Sequence, residues 1–490
     1  MSLKLFSSKH FGILFLGLLL ATSSSLPQKV FAQEKPAKEK TEASFIGDWS
    51  GALDTGAAKL RLVLHFVKKP DGTITASLDS LDQKAMGIPL GEAHQTDNKI
   101  KVEAKALNLV FEGALDATGK SITGTWNQGI PLPLTLTYGV VKINRPQEPK
   151  PPYPYDVKDV TFPGGGEGVT LAGTLTIPKG KGPFPVAVMI SGSGPNDRDE
   201  TVFDHKPFWI LADHLTRQGI AVLRYDKRGI AKSTGNAMLA TTGDYSADGK
   251  AAAAYLKTQP EFDPKRIGLI GHSEGGLCVP AIAAESPEIA FVVLLASMGV
   301  PGDQILLKQR EEIGRVEGMS DADNAKAGEL QKKILDIVKQ ESDPKVIQTK
   351  VSEILHKYME ASQPEELKKS PAAAEASMRA QSAGSASPWM RFFVTYDPVA
   401  VLKKVHCPVL AVTGAKDLQV SSKENLPAIS AALKDGGNKD VTIKEMPDLN
   451  HLFQHCKTGS PSEYGKIEET LSPEVLKIIG DWIVSHTTAK

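Results

Sequence analysis

The chain has 490 residues, of which 41% are hydrophobic and 23% are charged, a balance typical of folded soluble domains. Its 57 basic residues equal its 57 acidic residues, so the basic excess of nucleic-acid-binding proteins is missing and we expect no nucleic-acid partner. Three cysteines exclude a disulfide-built scaffold, and the length suits roughly two to four domains.

The N-terminus has the pattern of a secretory signal. Lys4 and Lys9 accompany an apolar run at 11–21, and Val30-Phe31-Ala32 resembles a cleavage site. The run is shorter than the roughly 20 residues that a membrane span requires. We therefore predict a signal peptide over residues 1–32 with cleavage after Ala32, a secreted or periplasmic protein, and no membrane span.

Three segments of different composition follow the signal. Residues 33–44 are charged and lack large apolar side chains, which predicts a flexible leader. Over residues 45–142, short apolar runs are separated by turn residues, which predicts a small antiparallel β domain. We consider this domain a candidate module for cell-wall or polysaccharide contact. Residues 143–156 hold five prolines and predict a semi-rigid linker.

Residues 157–490 alternate between strand and helix patterns, which predicts a mostly parallel sheet with helices on both faces. At about 301–390 this alternation is interrupted by a charged, alanine-rich segment with helical periodicity. Because this insertion precedes the penultimate strand, we predict a helical lid over a site at the strand ends. A coiled-coil arm is the alternative, but no heptad repeat is sustained.

The string Gly271-His272-Ser273-Glu274-Gly275 follows an apolar strand directly and precedes a helical segment. The pattern Gly-x-Ser-x-Gly in this context is typical of a nucleophile elbow, a tight turn that presents the serine hydroxyl. The flanking glycines are required because the turn leaves no room for side chains. We therefore predict Ser273 as a catalytic nucleophile.

A serine nucleophile needs a base, and in this architecture the acid and then the histidine follow it in the chain. His451 lies in a short loop after a predicted strand, and Asp417 follows the penultimate strand. We predict His451 as the general base and Asp417 as the acid that orients its ring. His455 and Asp448 are the alternatives, although Asp448 is close to His451 in the chain. Either histidine could also be a loop residue without a catalytic role.

An oxyanion hole takes one backbone N–H from the residue after the nucleophile, here Glu274. The second donor comes from the loop after an earlier strand, for which we predict Ser193, with Gly192 as the alternative. A plain glycine-rich turn is the competing interpretation of that loop.

Two further groups of residues have alternative interpretations. We interpret Asp226-Lys227-Arg228-Gly229 mainly as a structural turn held by a charge pair. Trp389, Phe392 and Phe393 either line an acyl pocket or belong to the core. The sequence contains no metal-ligand spacing and no phosphate-binding loop, so we expect no metal and no cofactor.

Five strings occur in an order that resembles the α/β-hydrolase superfamily. They are SGSGPNDRDE (191–200), DKRGIAKSTG (226–235), GHSEGG (271–276), GAKDLQV (414–420) and LNHLFQ (449–454). Residues from about 157 to 487 are similar to the serine-aminopeptidase-like and dienelactone-hydrolase-like branch of bacterial secreted esterases. The resemblance implies the α/β-hydrolase fold and a serine carboxylesterase that cleaves small-molecule esters with short acyl chains. Some relatives are peptidases, amidases or thioesterases that use the same triad.

The chain departs from the pattern of this branch at two positions. Ala231 and Asp448 stand where such strings usually carry glycine. Neither is a predicted catalytic residue. The β domain is covered only loosely by the resemblance, since a strand-rich segment precedes the hydrolase in some secreted relatives.

Overall fold

The computed structural model describes residues 45–54, 59–81, 85–139, 145–362 and 371–487. The predicted signal peptide, the leader and the first two linker residues lie outside these ranges. The described chain divides into two compact units, with the boundary between residues 144 and 145.

The first unit is a closed antiparallel barrel of eight described strands. They are β1 (Gly47–Asp54), β2 (Lys59–Lys68), β3 (Ile74–Ser80), β4 (Ala85–Thr96), β5 (Lys99–Ala104), β6 (Leu109–Leu115), β7 (Ser121–Asn127) and β8 (Pro131–Tyr138). Each strand pairs with its neighbour in the chain, and pairing of Ser50 with Thr137 closes the ring between β1 and β8. The predicted antiparallel β structure is therefore confirmed.

Alternating side chains fill the barrel interior, because successive residues of a strand point to opposite faces. Trp49, Leu64, Phe66, Phe111 and Ile122 are almost completely buried there. The barrel thus has a packed apolar core of its own.

On the outer face of the barrel, His65 lies between two carboxylates. Its Nδ1 is 2.7 Å from Asp48 Oδ1 on β1, and its Nε2 is 2.9 Å from Asp79 Oδ2 on β3. The hydrogen bond to Asp79, opposed by burial and supported by Asp48, raises the pKa of His65 to about 9. A positively charged ring therefore joins three neighbouring strands near neutral pH.

The second unit is built on another sheet of eight described strands. They are β9 (Tyr155–Pro163), β10 (Thr170–Pro178), β11 (Phe184–Ile190), β12 (Ala221–Tyr225), β13 (Phe262–His272), β14 (Phe291–Leu295), β15 (Val409–Gly414) and β16 (Val441–Met446). Their spatial order is β9-β10-β12-β11-β13-β14-β15-β16. Strands β11 to β16 run parallel, whereas β10 is antiparallel to both its neighbours. The loops after the parallel strands consequently meet at one edge of the sheet.

Helices cover both faces of this sheet and contribute the insertion. The described helices are α1 (Pro207–Arg217), α2 (Thr242–Lys257), α3 (Gly275–Glu285), α4 (Gly302–Val316), α5 (Asp321–Gln340), α6 (Pro344–Ser362), α7 (Pro371–Ser385), α8 (Pro388–Thr395), α9 (Pro398–Leu402), α10 (Ser422–Asp435), α11 (Pro461–Tyr464) and α12 (Pro473–Thr487). Helices α2, α3 and α10 pack into the core on one face, and α1 and α12 into the core on the other. In β11, Val188 faces the first core and Met189 faces the second. A strand buried on both faces explains the continuous apolar runs of the sequence.

The described part of the insertion between β14 and β15 consists of helices α4 to α9 joined by short non-helical segments. The Ser320 side chain caps α5 by accepting a hydrogen bond of 3.1 Å from the Asp323 N–H. The insertion has its own apolar core, which also includes Leu277, Met298 and Val420 from the sheet-bearing part. These three residues thus connect the insertion to the loops at the carboxyl edge of the sheet.

Two residues of the proline-rich linker are fixed to the second unit. The Arg145 guanidinium donates hydrogen bonds of 2.6 Å to Ile467 O and 2.7 Å to Phe203 O. The Gln147 side chain donates to Leu471 O at 2.6 Å. The linker is therefore anchored at its start and leads into β9 at Tyr155. Among the described residues, no helix has both the length and the apolar character needed to cross a membrane.

Candidate active site

The elbow predicted around Ser273 is a strand–turn–helix junction. β13 ends at His272, α3 begins at Gly275, and Ser273 has a φ of 53°. A Cβ on Gly275 would lie 2.0 Å from Ile190 O, and one on Gly271 would lie 2.2 Å from Gly275 O. Both positions therefore accept only glycine, while the left-handed backbone of Ser273 is the strained conformation expected of a nucleophile elbow.

The structure brings His451 and Asp417 together at the same edge of the sheet. Asp417 lies in the turn after β15, and His451 lies in the loop after β16. His451 Nδ1 is 2.8 Å from Asp417 Oδ2, and both side chains are buried. The other carboxylate oxygen of Asp417 accepts 2.8 Å hydrogen bonds from the N–H groups of Gln419 and Val420. This network assigns a proton to Nδ1 and leaves Nε2 as the acceptor that a general base requires.

The two alternative residues have different partners. The exposed His455 lies 2.9 Å from the Glu469 carboxylate. Asp448 is also exposed and forms an ion pair of 2.7 Å with Lys416. The paired, buried arrangement thus involves His451 and Asp417 and neither of these alternatives.

A second buried histidine supports the His451 loop. The ring of His272 lies beside that of His451, with centroids 4.9 Å apart, and its Nε2 is 3.1 Å from His451 O. Its Nδ1 is 3.0 Å from Glu200 Oε1. Burial is the largest single effect and lowers the pKa of His272, but the Glu200 carboxylate, the His451 carbonyl and Asp417 together outweigh it, and the net pKa is raised. The sequence did not indicate this role for either residue.

The glycine-rich loop after β11 lies against the nucleophile. A Cβ on Gly192 would lie 3.0 Å from the Cβ of Ser273. The Gly192 N–H donates to Glu200 Oε1 at 2.6 Å and is therefore already occupied. Among the described residues, the N–H groups of Ser193 and Glu274 donate no such hydrogen bond. They are the two N–H groups that the sequence predicts as oxyanion donors.

The charged string after β12 has two different environments. Arg228 pairs with Asp248 at 2.7 Å, as expected of a structural turn. Lys227 instead contacts two residues close to Ser273: its Nζ lies 2.5 Å from Gly192 O and 3.2 Å from Glu274 Oε2. Sequence reasoning missed this role of Lys227. The available signal was its position directly after a buried parallel strand, where functional loops begin.

The three aromatic residues considered for an acyl pocket also differ from one another. Phe393 is buried in the core of the insertion and stacks on Trp389 at a centroid distance of 4.9 Å. Trp389 Nε1 donates a hydrogen bond of 2.5 Å to Glu274 Oε1. Phe392 lies against Gly243, where an added Cβ would be 3.1 Å from its ring. Trp389 thus connects α8 to the turn that contains Ser273, and Phe392 connects it to the start of α2.

The departures at Ala231 and Asp448 both occur in left-handed backbone. Their φ angles are 47° and 60°. Glycine adopts this conformation without a steric penalty, which explains why glycine is usual at these positions. The described residues contain no group of three His, Cys, Asp or Glu side chains placed to hold a metal ion.

Comparison with known proteins gives the following matches. Residues 167–444 match the family described as X-Pro dipeptidyl-peptidase (S15 family). Esterase EstD from Thermotoga maritima is 29% identical over 338 residues, which cover 68% of each chain. The structure of the Pyrococcus furiosus esterase Pf2001 covers 72% of this chain and 100% of its own, with 18% identity and a TM-score of 0.42. A dienelactone hydrolase from Anabaena variabilis covers 68% and 99%, with 15% identity and a TM-score of 0.38.

Proposed function

The chain belongs to the X-Pro dipeptidyl-peptidase (S15) family of the α/β-hydrolase superfamily and is an esterase-type hydrolase, and from this premise we propose that it cleaves short-chain carboxylic esters through an acyl-enzyme on Ser273. The observation that carries the proposal is the buried 2.8 Å contact between His451 and Asp417, at the sheet edge where the glycine-flanked Ser273 follows β13. That arrangement provides a base with a fixed tautomer at the same edge as a strained serine.

In the proposed mechanism, His451 Nε2 accepts the proton of the Ser273 hydroxyl as its oxygen attacks the ester carbonyl. The negative charge that develops on the carbonyl oxygen is stabilised by the N–H groups of Ser193 and Glu274. The imidazolium returns the proton to the departing alcohol, and the acyl group stays on the serine. Water, deprotonated by the same ring, then releases the carboxylic acid and restores Ser273. Asp417 remains ionised and stabilises the imidazolium in both halves.

A dipeptidyl-peptidase activity is the second candidate, because the family match itself favours it. Such a substrate presents an ammonium group, which requires a carboxylate acceptor. The carboxylates at this edge of the sheet already have partners. Glu200 bonds to the Gly192 N–H and to His272, Glu274 bonds to Lys227, and Asp417 bonds to His451. This engagement favours a neutral ester over a charged dipeptide.

The two activities are separated by parallel assays on the same preparation. We expect kcat/KM for p-nitrophenyl acetate or butyrate to exceed that for an X-Pro p-nitroanilide, and Ser273→Ala to abolish the ester activity. A fluorophosphonate should label wild-type protein at Ser273. Faster turnover of the anilide would establish the peptidase instead, and undiminished ester turnover by Ser273→Ala would refute the proposed nucleophile.

We also propose that the insertion is a lid that forms part of the acyl pocket. Support comes from its apolar core, which includes Leu277, four positions after Ser273, and Val420, three positions after Asp417. Phe392→Ala should widen the pocket and shift the preferred acyl length towards longer chains. Val316→Ala, at an exposed position of α4, is the matched control and should leave the preference unchanged. An unchanged chain-length profile in Phe392→Ala would contradict the lid.

Export is proposed on the charged start and apolar run of residues 1–32. Mass spectrometry of protein recovered from the envelope of the producing cells, or from their culture medium, should find Gln33 as the first residue. An intact Met1 on the active protein would contradict processing.

For the barrel we propose contact with cell-wall or polysaccharide matrices through its outer surface. Its interior is filled by its own core, and Ile130 and Tyr138 are among its exposed large side chains. Retention of the full chain on a polysaccharide matrix should fall in Tyr138→Ala. Equal retention of the wild-type protein on a control matrix that contains no carbohydrate would refute the proposal.

A further inference from the structure

We propose that Lys227 and Glu274 form a positioning unit that sets the direction and strength of both oxyanion donors. The inference rests on the proposed acyl-enzyme mechanism. It concerns the side chain of Glu274 and the ammonium group of Lys227, neither of which reacts with the substrate in that mechanism.

The first half of the unit acts on the loop after β11. The C=O of Gly192 and the N–H of Ser193 belong to one planar peptide group, so fixing the oxygen also fixes the N–H. Lys227 Nζ donates to that oxygen at 2.5 Å, and Asn196 Nδ2 donates to it at 2.7 Å. A cation bound to the carbonyl oxygen also polarises the peptide group, which makes the Ser193 N–H a stronger donor.

The second half of the unit holds the residue that supplies the other N–H. Glu274 Oε2 is 3.2 Å from Lys227 Nζ. Glu274 Oε1 accepts hydrogen bonds from Thr242 Oγ1 at 2.7 Å and from Trp389 Nε1 at 2.5 Å. Side chains from the β12 loop, from the start of α2 and from α8 of the insertion therefore converge on the carboxylate. The backbone N–H of Glu274 follows the nucleophile directly and is fixed by this anchoring.

The burial of the pair indicates a role beyond stability. The Lys227 and Glu274 side chains are 3% and 1% exposed, and removing such charges from water is costly. An apolar pair of similar size would often stabilise a fold equally well. Here the positive charge of Lys227 offsets the negative charge of the Glu274 carboxylate. Without that offset, the carboxylate would repel an oxyanion that forms at the backbone N–H of Glu274.

The protonation state of Lys227 is consistent with this role. Burial lowers the pKa of Lys227, but the Glu274 carboxylate opposes that effect, and the net pKa is raised above its usual value. The ammonium group also lies 4.0 Å from the centroid of the Tyr245 ring. It therefore stays charged over the working range of a histidine base.

The test removes the pair while keeping its approximate volume, in the double variant Lys227→Met, Glu274→Gln. We expect kcat to fall about 10- to 100-fold, less than the loss of a whole oxyanion donor, with KM changed by less than about threefold. The Ki of an alkyl boronic acid, which forms a tetrahedral adduct on the serine, should rise by a similar factor. A merely structural pair would lower the thermal stability without weakening this adduct selectively.

The control is the double variant Arg228→Met, Asp248→Asn. It removes an ion pair of comparable burial, with a 2.7 Å contact, that touches neither Gly192 nor Glu274. It should lose stability but keep kcat within about threefold, since neither side chain bonds to the groups that hold the two predicted oxyanion donors.

Labelling with a fluorophosphonate separates the two possible failures. If wild type is not labelled at Ser273, the proposed function is wrong and this inference is overturned with it. If wild type is labelled and the folded Lys227→Met, Glu274→Gln variant retains kcat and boronic-acid affinity, only the positioning role is wrong. Should that variant not fold, Glu274→Gln alone decides the question. The glutamine amide keeps the shape of the side chain but places either an NH₂ group or an uncharged oxygen next to Lys227. An unchanged kcat in the Glu274→Gln variant would therefore also overturn the inference.

Discussion

Replacing Asp417 by asparagine should disable the proposed general base while preserving the fold. One oxygen of Asp417 accepts two hydrogen bonds, from the N–H groups of Gln419 and Val420 at 2.8 Å each. In Asp417→Asn the amide oxygen must occupy that position, because an NH₂ group there would face two donors. The NH₂ group then points at His451 Nδ1, which lies 2.8 Å from the other oxygen. It forces the ring into the tautomer with a protonated Nε2, which cannot accept the proton of Ser273.

The size of the effect follows from these contacts. Flipping the amide back would lose two hydrogen bonds and leave buried donors unpaired, at a cost of about 3 kcal/mol, so the productive form is populated to about 1%. The variant also lacks the negative charge that stabilises the imidazolium in the transition state. Together these losses predict a fall in kcat of about 10³- to 10⁴-fold, similar to the same substitution in a serine protease triad.

The assay is kcat and KM for a p-nitrophenyl ester, with circular dichroism to verify folding. Asp448→Asn is the matched control, because it makes the same chemical change at an exposed carboxylate in the neighbouring loop. It should stay within about threefold of wild type, as is usual for an exposed ion pair. More than a tenth of wild-type activity in a folded Asp417→Asn variant would refute the reasoning, and a large loss in Asp448→Asn would point to the alternative acid.

Three further outcomes are expected. His451→Ala should abolish ester turnover, whereas His455→Ala should retain most of it, and the reverse ranking in a kcat comparison would identify the other ring as the base. Ala231→Gly should stabilise the protein by about 0.5–1 kcal/mol because it relieves a left-handed backbone at an exposed site, and a lowered apparent Tm would contradict this. The raised pKa of His65, about 9, predicts a contribution to barrel stability that is complete below about pH 6.5 and is lost as the pH rises through about 9. The free energy of opening of β1 to β3, measured by hydrogen exchange at pH 6, should therefore be about 1–2 kcal/mol lower in His65→Gln than in wild type after solvent screening. Equal protection in both proteins at that pH would exclude this contribution.

Local sequence signals were sufficient where one short segment determines the structure. The elbow at 271–275 needs glycine for steric reasons that any such strand–turn–helix junction shares, and the apolar runs of β11 to β15 identify a sheet buried on both faces. β4 lacks a clear strand signal in the sequence, because Gly87, Pro89 and Gly91 are residues that normally weaken or end a strand. Its pairing with β3 does contain shifts of register, which accommodate these residues.

Contacts between distant segments could not be derived in the same way. Trp389 and Glu274 are 115 positions apart, and their hydrogen bond depends on how α8 packs over the sheet edge. The buried position of Lys227 likewise depends on Gly192, 35 positions earlier in the chain. Lysine and glutamate are residue types that usually lie at the protein surface. Only tertiary packing therefore determines that Lys227 and Glu274 are buried.

The insertion between β14 and β15 also determines the order in which the reactive groups become available during biosynthesis. Ser273 leaves the ribosome well before Asp417 and His451, because helices α4 to α9 are translated between them. β15 pairs with β14 and β16 pairs with β15, so neither strand can complete the sheet until the whole insertion has emerged. In the proposed mechanism, a nascent chain that ends within the insertion has the nucleophile but no base to activate it. Hydrolytic competence would therefore arise only once β15, β16 and the loops that follow them have emerged.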